Sequence, residues 1–343
     1  MPSLGCMVTD GMRILVVEFV TGGGMPLETA IPASLAREGD LMLHALLADL
    51  LEVPGVEVTV TRDARLPPLA PPVRSITISN PRESWSLWED LARQVDGVWP
   101  VAPETDGALE RFSRMVEDSG CRLFNSGAEA VAVASSKAAT AAMLSAAGLP
   151  VVPVWRVGTV AADGPPGNGP WVVKPDDGAG CIDTRLIRDH TDWQGWLGEA
   201  DRSGFVVQPF QSGTPASLSM LCRDGRAWLL TANRQNVSLS DGRFSYDGGV
   251  VGGMALSPVL SDLAQGVAAA LPGLFGCVGV DVIVGPDGPT IIEVNPRLTT
   301  SSVGVRRATG LNVAAAVLDL AREPPVPPQP VTRIEAVLLT LEE

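Results

Sequence analysis

From residue 12 to about 125 the chain alternates short β-branched runs with longer stretches whose apolar positions recur at helical spacing. RILVVEFV (13–20), VEVTV (56–60), RSITIS (74–79) and GVWPVAP (97–103) read as strands; SLAREGDLMLHALLADLLEV (34–53) and WSLWEDLARQV (85–95) read as amphipathic helices. That alternation predicts a parallel sheet flanked by helices. PPLAPPVR (67–74) is a connector, because stacked prolines cannot join a hydrogen-bonded ladder. After CRLFN (121–125) the Ala-rich stretch 127–148 is expected to be helical up to Gly148-Leu149-Pro150, which stops the helix and reads as a seam. Beyond about residue 151 the pattern changes to paired strand formers around CRDGRAW, LSDGRFS and IVGPDGPT, the signature of antiparallel hairpins. Helices are expected at 258–271 and 312–322, then an extended PPVPPQP (324–330) and a last strand in IEAVLLTLEE. The fold class is therefore α/β in the first part and α+β in the second.

Composition narrows the class. With 343 residues, 45% hydrophobic and 19% charged, the chain suits a multi-domain globular protein and not a disordered or coiled-coil one. Twenty-five Lys and Arg against 39 Asp and Glu leave a net charge of −14, which opposes attraction to a nucleic-acid backbone. A small anionic ligand would need local cations, Mg²⁺ or backbone N–H groups. No apolar run approaches the ~20 residues of a membrane span, so no membrane partner is expected. Five scattered cysteines without a CxxC pair argue against a disulfide framework and for a reducing, cytoplasmic setting. The first eleven residues read as a flexible extension.

Two stretches carry candidate chemistry. In WVVKPDDGAGC (171–181) a strand delivers Lys174 directly into a Gly-rich loop, Asp177-Gly178-Ala179-Gly180, whose backbone N–H groups can close over phosphate oxygens. In GVDVIVGPDGPTIIEVNPR (279–297) a hairpin carries Asp281 on one strand and Glu293, Asn295 and Arg297 at the end of the next. Alternation puts 293, 295 and 297 on one face. Two carboxylates and an amide oxygen form a hard donor set suited to Mg²⁺, and both acids sit in apolar runs where an unpaired carboxylate is costly.

Together with Lys137 in the Ala-rich region, these stretches resemble the ATP-grasp superfamily of ATP-dependent carboxylate–amine ligases. The matching order is Lys137, then Lys174 with its Gly-rich loop, then a hinge-like VVQPFQSG (206–213), then Asp281, then Glu293-Val294-Asn295. The likeness spans roughly 126–323. With it the chain divides into the flexible extension at 1–11, an N-terminal α/β domain over 12–125 that matches the domain preceding such folds, a small subdomain with the Gly-rich lid over 126–205 and a metal-bearing subdomain over 206–323 that the resemblance implies, and the Pro-rich segment with a final strand over 324–343. The resemblance also implies that Lys137 and Lys174 bind the phosphates of ATP, with 177–181 as lid. Backbone near Phe210 would pair with the adenine edge. Asp281, Glu293 and Asn295 would hold one or two Mg²⁺ ions, with Mn²⁺ able to substitute, and Arg297 and Arg234 would face the γ-phosphate. Where many relatives carry an acid for the ribose, this hinge has Gln208 and Gln211, which can hydrogen-bond a diol without charge.

VVEFVTGGG (16–24), TANRQNV (231–237) and EVNPRLTTSSVG (293–304) are similar to the tyramine-glutamate ligase group of methanofuran-type cofactor assembly. That likeness implies small-molecule substrates, L-glutamate and an aromatic amine, and leaves a homodimer open as the assembly. It places Glu18, the Thr21-Gly22-Gly23-Gly24 turn and Thr299-Thr300-Ser301 around one substrate cleft, with Glu18 orienting an ammonium group or, equally, a buried acid paired with an arginine. His44 and His190, the only histidines, read as structural or solvated, which disfavours a Ser-His-Asp set.

Overall fold

The computed structural model describes residues 11–70, 72–160, 164–178 and 180–340. The extension expected at 1–11 thus falls, except for Gly11, outside the described residues, as do Ala179 and the last three residues of the chain. Among the described residues the first unit runs β1 (Met12–Glu18), α1 (Ala33–Leu50), β2 (Val56–Asp63), β3 (Arg74–Ile78), α2 (Ser84–Ala92), β4 (Gly97–Val101), α3 (Ala108–Ser119) and β5 (Arg122–Leu123). Its strands form the expected parallel sheet, in the order β3-β2-β1-β4-β5. Central β1 is buried on both faces. Ile14 and Val16 point into one core with Leu43, Leu46 and Leu47 of α1, while Leu15 and Val17 point into a second with Trp88 and Phe112.

The Ala-rich stretch departs from expectation. It forms two helices, α4 (Ala128–Ser135) and α5 (Lys137–Ala146), with Ser136 extended between them. Ser136 interrupts the run because its hydroxyl accepts from the Ala139 N–H as the N-cap of α5, so Lys137 becomes the first residue of a new helix. The Ala-only pattern conceals this break.

The remaining elements are β6 (Trp155–Arg156), β7 (Trp171–Pro175), β8 (Arg185–Ile187), α6 (His190–Glu199), β9 (Phe205–Pro209), β10 (Thr214–Arg223), β11 (Arg226–Ser240), β12 (Arg243–Met254), α7 (Pro258–Ala270), β13 (Gly276–Gly285), β14 (Gly288–Asn295), α8 (Ser302–Thr309), α9 (Val313–Leu320) and β15 (Val337–Thr340). Among the described residues the strands of this half join in one sheet, ordered β14-β13-β10-β11-β12-β8-β7-β9-β6, with β15 pairing β12 antiparallel. The three DG-type turns close hairpins β10-β11, β11-β12 and β13-β14 as expected. One face of the β10–β13 region packs on α7 and α5 through Leu218, Val280, Val267 and Leu144. Around β7 and β9, Trp171, Trp193 and Trp196 make a separate small core.

Helix α1 joins the halves. Its apolar face lies on β1 and β2, and α8 and α9 pack beside it, so Leu43, Leu50, Val305, Val317 and Leu320 belong to one continuous core. Asp49 reinforces the seam: its carboxylate accepts from the Val313 and Ala314 N–H groups and pairs with Arg306 at 2.9 Å. No helix of the described residues is long and apolar enough to cross a membrane.

The Gly-rich turn after β1 is closed by its own side chains. Glu18 is 2% exposed, and its Oε2 accepts from both the N–H and the Oγ1 of Thr21 at 2.7 Å. Gly23 has φ 99°, and a Cβ there would meet Ile78 Cγ2 at 2.8 Å. A Cβ on Gly22 would meet Thr61 Oγ1 at 2.9 Å. These glycines let the turn press against β2 and β3.

Burial pushes the Glu18 carboxyl up to about 7, against the bonds from Thr21. A folded-state value above the ordinary one means the fold binds the extra proton, so stability is full below about pH 4.5 and falls as pH rises through about 7. Glu18→Gln is neutral throughout. We therefore expect its melting temperature, relative to wild type, to climb between pH 5 and pH 8, reflecting roughly 1.4 kcal/mol per unit of displacement. Thermal melts at several pH values check this, and a pH-independent difference would contradict it.

Candidate active site

The floor of the site is a row of polar side chains across neighbouring strands. Asn233 of β11 pairs in register with Ser217 of β10, Ser217 with Asp281 of β13, and Asp281 with Glu293 of β14. Asn233 Nδ2 donates to Ser217 Oγ at 3.2 Å and to Ser219 Oγ at 3.0 Å. Gln235 Nε2 donates to Asp281 Oδ1 at 2.9 Å, and Asn295 Nδ2 to Asp281 Oδ2 at 3.2 Å. The opposite face of these strands is apolar, so alternation alone sorts chemistry from core. Asn233, Ser217 and Gln235 were not singled out from the sequence; each lies at a polar position of an otherwise strand-like run, a signal shared with any half-exposed strand.

Over this floor stand two buried lysines, each 6% exposed. Lys137 Nζ lies 3.4 Å and Lys174 Nζ 3.7 Å from the same oxygen, Glu293 Oε2. Burial raises the Glu293 carboxyl, but the Lys137 and Lys174 charges outweigh it and hold the group below its ordinary value. Asp281 moves the other way: burial first, then the Glu293 charge, push it well above the carboxylate range. Burial also lowers the Lys174 ammonium, against the attraction of Glu293. Asp281, Glu293 and Asn295 thus lie side by side on the hairpin. Among the described residues no three His, Cys, Asp or Glu side chains cluster as a self-sufficient metal cage. Two carboxylates and an amide fit a Mg²⁺ ion whose other ligands are phosphate oxygens and water.

The Gly-rich loop is anchored by a residue that sequence reasoning passed over. Asp176 accepts from Ser136 Oγ and the Ala138 N–H at 2.9 Å and pairs with Arg156 at 2.7 Å, which ties the loop to the start of α5. Lys137 Nζ donates to the Gly178 carbonyl. Asp177 turns toward the first domain, its Oδ2 accepting from the Asp106 N–H at 3.0 Å. Gly180 and Cys181 are left-handed, with φ 66° and 62°. Burial pushes the Cys181 thiol up to about 11, so it is neutral near pH 7.

At the hinge, Gln208 pairs in register with Val172 and shares the Lys174 face of the sheet. It is 4% exposed, and its Oε1 is buried without a hydrogen-bond partner. An orphaned acceptor on that face is suited to a ligand donor. The Phe210 N–H is already bonded to the Pro170 carbonyl at 2.9 Å, so it is not free for an adenine edge; Gln211 is half-buried beside it.

Other expected residues are redistributed. Arg297 is buried and bidentate on Glu104, with bonds of 2.9 and 2.8 Å. Burial would lower its guanidinium, but the charges of Glu104, Glu38 and Glu293 hold it above its ordinary value. Arg234 is exposed while its neighbours Asn233 and Gln235 turn inward, so the structure does not bring it to the cluster. The side chain that reaches Asp281 from this strand is Gln235. Glu18 and the Thr21–Gly24 turn are closed on themselves rather than open to a ligand. Of the 299–301 run, Thr300 Oγ1 donates to Glu38 Oε1 of α1, and Ser301 Oγ lies 3.4 Å from Ser217 Oγ. Thr299 shares the turn, its N–H bonding to Ser302 Oγ at 3.3 Å. Tyr246, the sole tyrosine, joins Ser301, and its hydroxyl is pushed up to about 12 by burial and the Asp281 charge.

Two family models match the chain: an ATP-grasp domain over residues 134–301 and a pre-ATP-grasp domain over 56–131. The chain belongs to the ATP-grasp family of carboxylate–amine ligases, whose members form amide bonds and release ADP. Among curated proteins it is 26% identical over 276 residues to the tyramine–L-glutamate ligase of Methanocaldococcus jannaschii, covering 80% of each chain. It is 28% identical over 299 residues to the D-alanine–D-alanine ligase of an Anaeromyxobacter species, covering 82% of this chain and 90% of that one. In fold it is similar to an ATP-grasp superfamily protein from Archaeoglobus fulgidus, with TM-score 0.71, 22% identity, and coverage of 95% of this chain and 91% of that one.

Glu293→Gln keeps the shape of the side chain but removes the charge that faces both lysines. We expect Mn²⁺ or Mg²⁺ affinity in the presence of ATP to fall about 10²-fold, with the circular dichroism spectrum unchanged. Calorimetric titration decides this, and unaltered metal affinity would reassign Glu293 to an ion pair alone. Lys174→Ala should weaken nucleotide binding in the same titration.

Proposed function

We propose that this ligase activates L-glutamate with ATP and joins it to an aromatic amine of the tyramine or tyrosine type, in assembly of a methanofuran-like one-carbon carrier. The observation that carries the chemistry is the pair of buried lysines sharing Glu293 above Asp281 and Asn295. Glu293 already faces both ammonium groups and Asp281 stands beside it, so a triphosphate entering here is better accommodated with a divalent cation.

In this reading Lys137 and Lys174 shift from Glu293 to phosphate oxygens, and the 177–181 loop covers them. Gln208 and Gln211 meet the nucleoside, Gln208 through its orphaned Oε1. Asp281, Glu293 and Asn295 hold Mg²⁺, which when bound withdraws charge from the phosphates and lets a carboxylate approach. The carboxylate oxygen attacks the γ-phosphorus, ADP leaves, and the amine nitrogen displaces phosphate from the acyl phosphate. Arg297 faces the transferred group. The phosphate is itself a good leaving group, so the reaction needs little acid–base machinery, in keeping with His44 bonded to its own helix and His190 against Trp171.

The substrate side rests on the junction of the two halves. Glu38, half-buried, reaches Thr300 from α1 and lies in the field of the Arg297 guanidinium; in this reading it is the N-terminal carboxylate that receives the ammonium group, in the role expected for Glu18. Hydroxyls of Thr299 and Ser301 suit a substrate carboxylate, Thr300 being committed to Glu38, and the Tyr246 ring suits an aromatic amine. The likeness to tyramine–L-glutamate ligases over most of the chain supports this choice.

The trial incubates the protein with Mg-ATP, L-glutamate, and tyramine or L-tyrosine in turn, following ADP release and the new amide by mass spectrometry. ADP and amide formed together, in equal amounts, are the expected result. If neither amine raises ADP release while another amino acid pair does, the ligase assignment stands and the glutamate–aromatic amine assignment falls.

A further inference from the structure

The C-terminal end of β4 runs into a turn whose three consecutive residues make contacts in two different directions. Glu104, 5% exposed, takes Arg297 Nε and Nη2 on its two oxygens, while Arg297 Nη1 is occupied by the Leu298 carbonyl at 3.2 Å. The guanidinium is thus held in plane and cannot rotate about its own fork. Thr105 Oγ1 donates to the Asp177 carbonyl at 3.3 Å, and the Asp106 N–H donates to Asp177 Oδ2 at 3.0 Å. Asp106 and Gly107 adopt φ 55° and 66°, a left-handed pair that aims the Asp106 N–H at the loop. The partners of this one turn, Asp177 and Arg297, lie 120 residues apart; Asp177 meets the first domain through Thr105 and Asp106, and Arg297 through Glu104 and the charge of Glu38.

We propose that Glu104 is a positioning residue that fixes Arg297 beside the Glu293 carboxylate, and that the turn it begins ties that placement to the seating of the Gly-rich loop through Asp177. Glu104 makes no contact with the phosphate site itself; it acts through Arg297. A loop that leaves its seat releases Thr105 and Asp106, and the freed turn loosens the two-point grip on Arg297. The first domain thereby links the contact at Asp177 to the placement of Arg297. The inference rests on the ligase reading for its catalytic meaning, and on the contacts alone for the coupling.

The test uses the full chain and two variants. Glu104→Gln keeps the shape of the acceptor and removes its charge, and Thr105→Val removes one loop contact while leaving the buried pair intact. Amide hydrogen exchange in the nucleotide-free protein is read by mass spectrometry on peptides covering 174–182 and 296–302. We expect Glu104→Gln to speed exchange in both peptides about tenfold, and Thr105→Val to speed the first and, more weakly, the second. Exchange at 174–182 unchanged in Glu104→Gln would overturn the coupling, and exchange at 296–302 unchanged would overturn the positioning. In turnover, Glu104→Gln should lower kcat about 10²-fold with KM for ATP within about threefold, and Glu104→Asp should recover part of the loss. A parallel fall in melting temperature with kcat intact would make Glu104 a packing residue. Should wild type release no ADP with any substrate pair, the ligase reading fails while the exchange data still decide the proposal. Should Glu104→Gln not fold, Thr105→Val decides the coupling by itself.

Discussion

One oxygen atom, Glu293 Oε2, is the point on which the site is organised. It lies within 3.7 Å of two ammonium groups from two different segments, the first residue of α5 and the fourth residue of strand β7. A buried charge without a partner costs several kcal/mol, so each of these three groups is tolerable only because the others are present. The consequences spread outward. Lys137 can begin a helix there because Ser136 caps it and Asp176 braces the cap. Lys174 can be buried because the strand that carries it continues into a loop held by Asp176 and Asp177. Asp281, denied a lysine of its own, relies on Gln235 and Asn295 and takes up a proton more readily than its neighbour.

The fold supplies this arrangement from two sheets of different kind. The parallel sheet buries both faces of β1 and offers only its strand ends to a ligand. The antiparallel sheet keeps one face apolar for α7 and leaves the other for the polar row from Asn233 to Glu293. Helix α1 holds the two together through a shared core, and its Glu38 reaches Thr300 across the junction. The end of β4 makes the second crossing, through Glu104. Both crossings bring carboxylates of the first domain to the C-terminal unit, which is why the first domain contributes to the site although it contains neither of the two lysines.

Much of this was legible along the chain. Alternation of β-branched and amphipathic runs identified the parallel sheet, DG turns identified the hairpins, and acids embedded in VGVDVIV and TIIEVNP announced a site because apolar strands do not carry unpaired carboxylates without a reason. Asp281 and Glu293 were read this way, Asn295 from its shared strand face and Lys174 from the Gly-rich loop that follows it, whereas Lys137 entered only with the family resemblance. The residues that were misjudged are instructive. Glu18 ends an apolar strand as Asp281 interrupts one, yet its partner is Thr21, three residues on, and the glycines beside it serve close packing. Arg234 sits in a motif but one position out of phase with the inward face. The Ala-rich run hid a helix boundary because its cap is a serine among serines.

What the sequence by itself determined lies at short range: the main strands, where the hairpin turns fall, and which side chains share a strand face, since periodicity and turn chemistry act over a few residues. What only the tertiary structure decided is which of those faces meet. Glu104 and Arg297 are 193 residues apart, and Glu38 and Thr300 are 262 apart. Such pairs are chosen by how α1 and β4 dock on the second sheet, a matter of core packing over the whole chain, and no local pattern of residues encodes it.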